Sequence, residues 1–325
     1  MTENILKVRD LTMHYTTSKG EVSAVNNVSF EVRKGQSLGL VGESGCGKTS
    51  IAFSLIRLLP ENAVIKGGDI LLEDENIVQM DTKELLRMRW KGISMVFQAA
   101  MNALNPIFTV GDQIVEAIQA HDSSVNVAKA RSQVAELFTL VGLDPKLMDR
   151  YPHEFSGGMR QRAVIAMALA CHPKLIIADE PTTALDVIVQ DRILNQLKAI
   201  QKQLDMSMIY ISHDIAVIAE VSDRIGVMYA GRMAELADAD DIFKSPIHPY
   251  TYALMGAFPS IKGTKRELNT LPGEPPDLLN PPTGCRFHPR CPRATAQCQQ
   301  EVPPFIEHSP NHFTACWHPM EVKNV

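Results

Sequence analysis

The chain has no apolar run long enough to cross a bilayer as a helix. Such a span needs about 18 consecutive apolar residues, and the longest run here, residues 163–171, reaches only about half of that. Residues 1–4 also lack the basic segment and apolar core of a secretory signal. We therefore expect a chain that does not span the membrane itself and that stays in the cytosol.

The chain also lacks an excess of basic residues over acidic ones. The chain has 32 Lys and Arg against 37 Asp and Glu, a formal net charge of -5. Affinity for nucleic acid depends on excess positive charge, so we expect no nucleic-acid partner. With 325 residues, of which 45% are hydrophobic and 21% charged, the chain has room for one large α/β domain and an accessory segment.

What the sequence does contain is a glycine-rich loop of the phosphate-binding type. Residues 42–49 read GESGCGKT, which fits G-x-x-x-x-G-K-[ST], and they follow the apolar run at 38–41. The glycines let successive N–H groups point inward, Lys48 adds positive charge and the Thr49 hydroxyl suits Mg²⁺. A helix-like segment follows, and its N-terminus completes an anion site. The sequence thus predicts a nucleoside triphosphate site at Gly42, Ser44, Gly45, Cys46, Gly47, Lys48, Thr49 and Ser50.

A second run of exposed N–H groups is predicted where residues 155–162, FSGGMRQR, open an apolar helical stretch. This segment lies more than a hundred positions from Lys48. Because one nucleotide has one γ-phosphate, the economical arrangement is two chains facing head to tail. Ser156, Gly157 and Gly158 would then close over the nucleotide held by the other chain.

Further motifs appear in the order found in nucleotide-binding subunits of ATP-binding-cassette (ABC) transporters, which the chain resembles from about residue 6 to residue 256. MVFQ at 95–98 resembles the Q-loop, LIIADE at 175–180 the Walker B strand, TALD at 183–186 the D-loop and ISHD at 211–214 the switch histidine segment. The signature differs from the usual LSGGQ at both ends, but its Ser-Gly-Gly core is retained.

The resemblance assigns roles to individual residues. Gln98 is expected to bind Mg²⁺ and to sense the membrane subunit, and Tyr15 to stack on adenine. Asp179 is expected to face Mg²⁺, while Glu180, pointing the other way at the strand end, polarises the attacking water. His213 is expected to hold the γ-phosphate. Each role has an alternative. Asp179 and Glu180 could cap the next helix, His213 could be a structural histidine, and Tyr15 could be an aromatic residue of an edge strand.

The D-loop Asp186 joins the nucleotide site on the same resemblance. The implied fold is α/β: an ABC-type P-loop ATPase domain over residues 1–258, with a parallel RecA-like core sheet, an antiparallel β lobe and a helical subdomain at about 99–157. Lys48, Glu180 and His213 are the expected catalytic residues, with ATP and Mg²⁺ bound.

Beyond residue 258 the composition changes, since 12 of the 20 prolines lie from Pro259 onward. Regular secondary structure is not expected in this segment. Four of the six cysteines also lie there, with the spacing C-x5-C-x6-C-x17-C, at Cys285, Cys291, Cys298 and Cys316. A reducing cytosol disfavours disulfides, which leaves a metal site or four unused thiols.

Residues 271–276, 284–292 and 315–317 resemble the C-terminal extension of oligopeptide and dipeptide importer ATPases, placed here at 259–325. Some members of that subfamily carry a 4Fe-4S cluster, although four thiolates also suit Zn²⁺. The expected partners are a second, related but non-identical ATPase subunit, two transmembrane permease subunits and an extracytoplasmic solute-binding protein. An exporter cassette and a soluble ABC ATPase of DNA repair or the ribosome are the alternatives.

Overall fold

The computed structural model describes residues 3–98, 103–183, 185–256 and 271–321. The chain divides into two compact units. Unit 1 comprises Met1–Leu6, Val32–Ser37 and Leu71–Ile211, and unit 2 comprises Lys7–Glu31, Leu38–Ile70 and Ser212–Val325.

The strands, in chain order, are β1 (Asn4–Thr17), β2 (Gly20–Arg33), β3 (Ser37–Val41), β4 (Ala63–Leu72), β5 (Glu75–Asn76), β6 (Ile93–Val96), β7 (Leu175–Asp179), β8 (Ser207–Ile211), β9 (Arg224–Tyr229), β10 (Arg232–Asp238), β11 (Ile306–Ser309) and β12 (His312–Thr314). The α-helices are α1 (Lys48–Leu55), α2 (Thr82–Met88), α3 (Val110–His121), α4 (Val127–Leu140), α5 (Gly157–Leu169), α6 (Val187–Leu204), α7 (Ile215–Val221), α8 (Ala239–Lys244), α9 (Pro249–Gly256) and α10 (Ala296–Gln300).

Unit 1 contains the parallel strands β6, β7 and β8. Their registers pair Ile93 with Leu175 and Ile176 with Met208. All residues of these strands are buried, as expected for parallel strands covered on both faces. The strand predicted within residues 175–180 from the Walker B resemblance corresponds to β7.

The helices α3 and α4 of unit 1 lie within the range proposed for the helical subdomain, about 99–157. The Thr109 side chain caps α3 by accepting a hydrogen bond from Asp112 N, and Asn126 caps α4 in the same way. Their apolar faces bury Ile114, Ile118, Val134 and Phe138, among others. The start of the proposed helical subdomain, at residue 99, lies outside the described residues.

Unit 2 combines parallel and antiparallel pairing. Strand β3 runs parallel to β9, with Leu40 opposite Gly226, and β9 pairs antiparallel with β10. Strand β12 pairs antiparallel with β10, so that Glu235 lies opposite Thr314, and β11 pairs with β12. Strands β11 and β12 of the C-terminal extension therefore belong to the same sheet as β3, β9 and β10.

The expectation of no regular structure in this extension is wrong. Helix α10 and strands β11 and β12 all form there. The prolines limit these elements rather than prevent them, because Pro303 and Pro304 precede β11 and Pro310 lies in the turn between the two strands. The predicted boundary at residues 258 and 259 lies outside the described residues.

A buried carboxylate ties β10 to this extension. Glu235, which is fully buried, accepts backbone hydrogen bonds from Ile247 and His248 at 2.8 and 2.9 Å. Its Oε1 also lies 2.7 Å from His312 Nε2 on β12. Because every contact reaches a buried polar group, the network stabilises the end of the sheet.

Candidate functional site

The phosphate loop of unit 2 connects β3 to α1, as the sequence predicts. Gly42 and Gly47 have φ angles of 154° and 102°, which side-chain-bearing residues rarely adopt. A Cβ atom at Gly42 would lie 2.1 Å from Met228 O, and one at Gly47 would lie 2.2 Å from Ala24 O. Glycine is therefore required at both positions.

The opposite side of the loop is open. A Cβ atom at Gly45 would meet nothing within 4 Å, and both Ser44 and Gly45 are exposed. Helix α1 begins directly afterwards and its N-cap, Gly47, makes no side-chain cap. Free N–H groups at a helix start beside open space fit a phosphate group.

Lys48 lies at the base of this loop. Its side chain is buried, and Nζ donates to Gly42 O at 2.7 Å and to Glu43 O at 3.1 Å. Cys46 Sγ lies 3.4 Å from the same amine. Burial raises the pKa of the Cys46 thiol. A cation held by carbonyl oxygens at the loop's base can transfer to phosphate oxygens without leaving the site.

Tyr15 and Ser50 are brought together next to the loop. The Tyr15 hydroxyl lies 3.2 Å from Ser50 Oγ on the first turn of α1, and the Tyr15 side chain is half-buried. Thr49, also on that turn, is half-buried. The contact places Tyr15 beside the phosphate loop, and its stacking on adenine stays a prediction.

In unit 1, Asp179 is the last residue of β7 and Glu180 directly follows it, and the two have different surroundings. Asp179 is buried, whereas Glu180 is half-buried and adopts φ 47°, the left-handed region that costs a non-glycine residue roughly 1–3 kcal/mol. Its N–H donates to Ile211 O at 2.8 Å, which holds the turn. Such strain is typical of functional sites, and it turns Glu180 out of the strand.

Gln98 and Thr183 of unit 1 both donate hydrogen bonds to the Glu180 carboxylate. Gln98 Nε2 donates to Glu180 Oε2 at 3.3 Å, and Thr183 Oγ1 donates to the same oxygen at 2.7 Å. The structure thus brings together the predicted Gln98 and Glu180. The contribution of Thr183 was missed, because only its place in the D-loop motif was recognised.

The signature segment forms a helix start in unit 1. Ser156 is the exposed N-cap of α5, and its Oγ accepts a hydrogen bond from Met159 N at 3.3 Å. Gly157 and Gly158 form the first turn, so their N–H groups lie at the N-terminal end of the helix dipole. The helix start predicted for this segment is present, and its binding of a phosphate group stays a prediction.

Asp186 and His213 lie at two other helix starts. Asp186 is the exposed N-cap of α6 and accepts a hydrogen bond from Val189 N at 3.0 Å. His213 is exposed in unit 2, just before Asp214, which caps α7. Both positions leave the side chain accessible, and the nucleotide contacts of both residues stay predictions.

The four cysteines of the extension line one cavity in unit 2, together with His248, His288 and His318 among others. The Cys285 N–H donates to Cys298 O at 2.8 Å, which joins two of the cysteine loops. Burial raises the pKa of Cys285 and Cys291, and it raises that of Cys316 to about 12.

The cysteines meet only part of the expectation of a joint metal centre. All six cysteines of the chain are free thiols. Among residues 3–98, 103–183, 185–256 and 271–321, no group of three or more His, Cys, Asp or Glu side chains is arranged to hold a metal ion. The cavity is lined by the four predicted cysteines, and their joint binding of a metal stays a prediction.

Arg290 contacts the phosphate loop and was not predicted to have a role. Its guanidinium donates to both Glu43 carboxylate oxygens, NH1 to Oε2 at 2.7 Å and NH2 to Oε1 at 3.0 Å. Tyr250 contacts the same residue, since its hydroxyl accepts a hydrogen bond from Glu43 N at 3.1 Å. No spacing pattern reveals a contact between residues 247 positions apart.

In the part of the chain that the structure describes, no helix has both the length and the apolar character needed to cross a membrane.

Comparison with known proteins agrees with these features. A family model described as ABC transporter matches residues 25–183, and one described as the oligopeptide/dipeptide transporter C-terminal region matches residues 234–298. The dipeptide transport ATP-binding protein DppD of Bacillus subtilis is 46% identical over 318 residues, covering 97% of this chain and 95% of that protein. The oligopeptide transport ATP-binding protein OppD of Escherichia coli is 44% identical, covering 98% and 94%.

Among solved structures, a dimeric ATP-binding cassette in a post-hydrolysis state with ADP and Pi matches with a TM-score of 0.65 and 25% identity. The match covers 72% of this chain and 98% of that chain. Taken with the phosphate loop, the strained Glu180 and the ordered extension, these similarities show that the chain belongs to the ATP-hydrolysing subunits of ABC transporters, in their oligopeptide/dipeptide group.

Proposed function

We propose that this chain is the ATP-hydrolysing motor of an importer for dipeptides, oligopeptides or related small solutes, bound peripherally at the cytoplasmic side of the membrane. The observation that carries the proposal is the open phosphate loop with buried Lys48, in a chain that also orients a carboxylate, Glu180, at a strained strand end. The names of the dipeptide and oligopeptide relatives support the class of solute.

The residues divide the chemistry between them. Lys48 and the N–H groups of residues 42–50 bind the phosphates. Thr49 and Gln98 would hold Mg²⁺, and Asp179, which directly precedes Glu180, would face the ion. The bound Mg²⁺ neutralises charge on the phosphate oxygens. Glu180 accepts a proton from the attacking water, and the hydrogen bonds from Gln98 and Thr183 fix the orientation of its carboxylate. His213 would hold the γ-phosphate.

A partner subunit completes each site in this proposal. Ser156, Gly157 and Gly158 present the start of α5, with Ser156 exposed, so they suit a phosphate group of a nucleotide bound to a facing chain. The facing chain is a related, non-identical ATPase subunit. Two transmembrane permease subunits convert closure of the pair into solute movement, and an extracytoplasmic solute-binding protein delivers the solute.

The cysteine cavity would hold a 4Fe-4S cluster. The cavity supplies four thiols, which is the donor set for such a cluster and also for zinc. A single zinc ion needs all four sulfurs within about 2.3 Å of one point. Each iron of a four-iron cluster takes one cysteine sulfur instead. Structural zinc sites favour paired C-x2-4-C spacings, which this segment lacks, so the sequence spacing favours the cluster.

Reconstitution tests the transport role. The full complex, with its permease subunits in proteoliposomes, should hydrolyse ATP faster when a peptide-loaded solute-binding protein is added, and should accumulate labelled peptide inside. Lys48→Ala should abolish both readings, because it removes the cation of the phosphate loop. ATP hydrolysis that persists at the normal rate without Lys48, or peptide export instead of uptake, contradicts the proposal.

A further inference from the structure

The C-terminal extension contacts the phosphate loop through one buried ion pair. Arg290 and Glu43 form a two-bond pair, and their side chains are 6% and 25% exposed. Glu43 is the second residue of the loop, and Arg290 directly precedes Cys291 of the cysteine cavity. Two parallel N–H to oxygen bonds fix direction as well as distance, which a single contact does not.

Arg290 is itself held in place by the extension and the sheet. Its Nε donates to Pro272 O at 2.9 Å, and NH1 also reaches the Tyr229 hydroxyl at 3.3 Å. The guanidinium carbon lies 5.8 Å from the centre of the Tyr229 ring. The hydrogen bonds to Glu43 raise the pKa of Arg290. The guanidinium is therefore a fixed positive charge at the edge of the loop.

Glu43 is held at its backbone as well as at its carboxylate. Its N–H donates to the Tyr250 hydroxyl, and burial raises the pKa of Tyr250, which keeps that hydroxyl neutral. Its carbonyl accepts from Lys48 Nζ at 3.1 Å and from Cys46 N at 3.2 Å. The residue paired with Arg290 is thus also the residue that holds the amine of the phosphate-binding lysine.

The negative charge of Glu43 makes its pairing with Arg290 relevant to nucleotide binding. A carboxylate in a loop that binds triphosphate repels the ligand unless a cation compensates it. Arg290 supplies that cation and donates to both carboxylate oxygens, so both are paired within the phosphate loop. Removing one partner of such a pair leaves the other charge partly buried and uncompensated.

We propose that Arg290 is a positioning residue of the ATP site, through which the C-terminal extension holds Glu43 and keeps the phosphate loop in its binding conformation. The inference rests on the phosphate-binding role proposed for the loop. It gives the extension a direct part in nucleotide affinity, separate from any metal that the cysteine cavity holds.

The experiment measures MgATP and MgADP affinity of the full chain in two backgrounds. Arg290→Ala should weaken MgATP binding by about tenfold or more, the scale expected for breaking a buried charge pair. In the Glu43→Gln background the same substitution should change affinity by less than about threefold, because no carboxylate remains to be compensated. The loss should be larger for ATP than for ADP, since repulsion grows with the charge of the nucleotide.

Controls separate this effect from unfolding and from failure of the site itself. Arg9→Ala, at an exposed position of unit 2, should leave affinity unchanged. Circular dichroism and melting should show Arg290→Ala folded, and Arg290→Lys should restore part of the affinity. Lys48→Ala should abolish binding, and if it does not, the proposed loop function fails first. Two results overturn this inference and leave the proposed loop function standing. One is an equal loss of affinity from Arg290→Ala in both backgrounds, and the other is unchanged affinity in Arg290→Ala while Lys48→Ala fails to bind nucleotide.

Discussion

The side-chain amide of Gln98 donates to the carboxylate of Glu180 at 3.3 Å, across 82 positions of sequence. Because Thr183 donates to the same oxygen at 2.7 Å, Oε2 accepts hydrogen bonds from two side chains of unit 1. The carboxylate that we propose as the proton acceptor is therefore oriented by side chains of its own unit.

Replacing Glu180 by Gln should stop hydrolysis and preserve binding. The amide keeps the size of the side chain but cannot accept a proton, so turnover should drop about a hundredfold or more, near 3 kcal/mol of barrier. Steady-state ATPase assays and MgATP titration measure the two quantities. Glu136→Gln, at an exposed position of α4, is the matched control. Normal turnover in Glu180→Gln would show that another group accepts the proton.

Thr183→Val should lower kcat by roughly tenfold with little change in KM, because it removes one of the two donors that orient the Glu180 carboxylate. Thr183→Ser, which keeps the hydroxyl, should retain most of the activity. The kcat and KM values of both variants test this. A loss shared equally by Thr183→Ser would point to packing of the side chain instead of its hydrogen bond.

Ser156→Arg should abolish hydrolysis at the site of the facing subunit, since a long side chain at the exposed start of α5 fills the space for the phosphate. The isolated mutant chain should bind MgATP with unchanged affinity through its own loop. Ser123→Arg, at another exposed position of unit 1, provides the control. A matching loss of affinity in the isolated Ser156→Arg chain would mean that the signature acts within one chain.

Protein purified without oxygen should be brown and contain about four irons per chain, as a 4Fe-4S cluster requires. Cys291→Ser should bleach it, while ATP binding persists and the extension becomes protease-sensitive. Cys171→Ser, which lies outside the cavity, should remain brown. Colourless protein with one zinc per chain moves the assignment to zinc, and metal-free protein with a protected extension rejects a metal centre.

The phosphate loop was predictable because all its determinants are local. An apolar strand, glycines at fixed positions and a helix start lie within residues 37–55, and the structure places β3, the loop and α1 there. The same holds for Glu180, which directly follows a buried strand. Short-range patterns of this kind depend on backbone geometry that neighbouring residues impose on each other.

The contacts between distant segments could not be predicted from the sequence. Strand β12 has three residues in a proline-rich region, too few to show alternation, and it forms because β10 supplies the partner ladder. The pairing of Arg290 with Glu43 likewise depends on how the folded chain brings the extension to the loop. Neither residue type nor spacing distinguishes Arg290 from the exposed arginines of the same chain.

Strand β12 also covers the outer edge of β10. It occupies backbone donors and acceptors of β10 that would otherwise form an open edge next to the buried side chains of Met233, Ala234 and Leu236. An uncovered edge of this kind is a template for pairing with other chains. A chain that ends before residue 271 would expose the seven-residue β10 as the edge, whereas the extension ends this sheet on the four-residue β11, which is a shorter template for pairing.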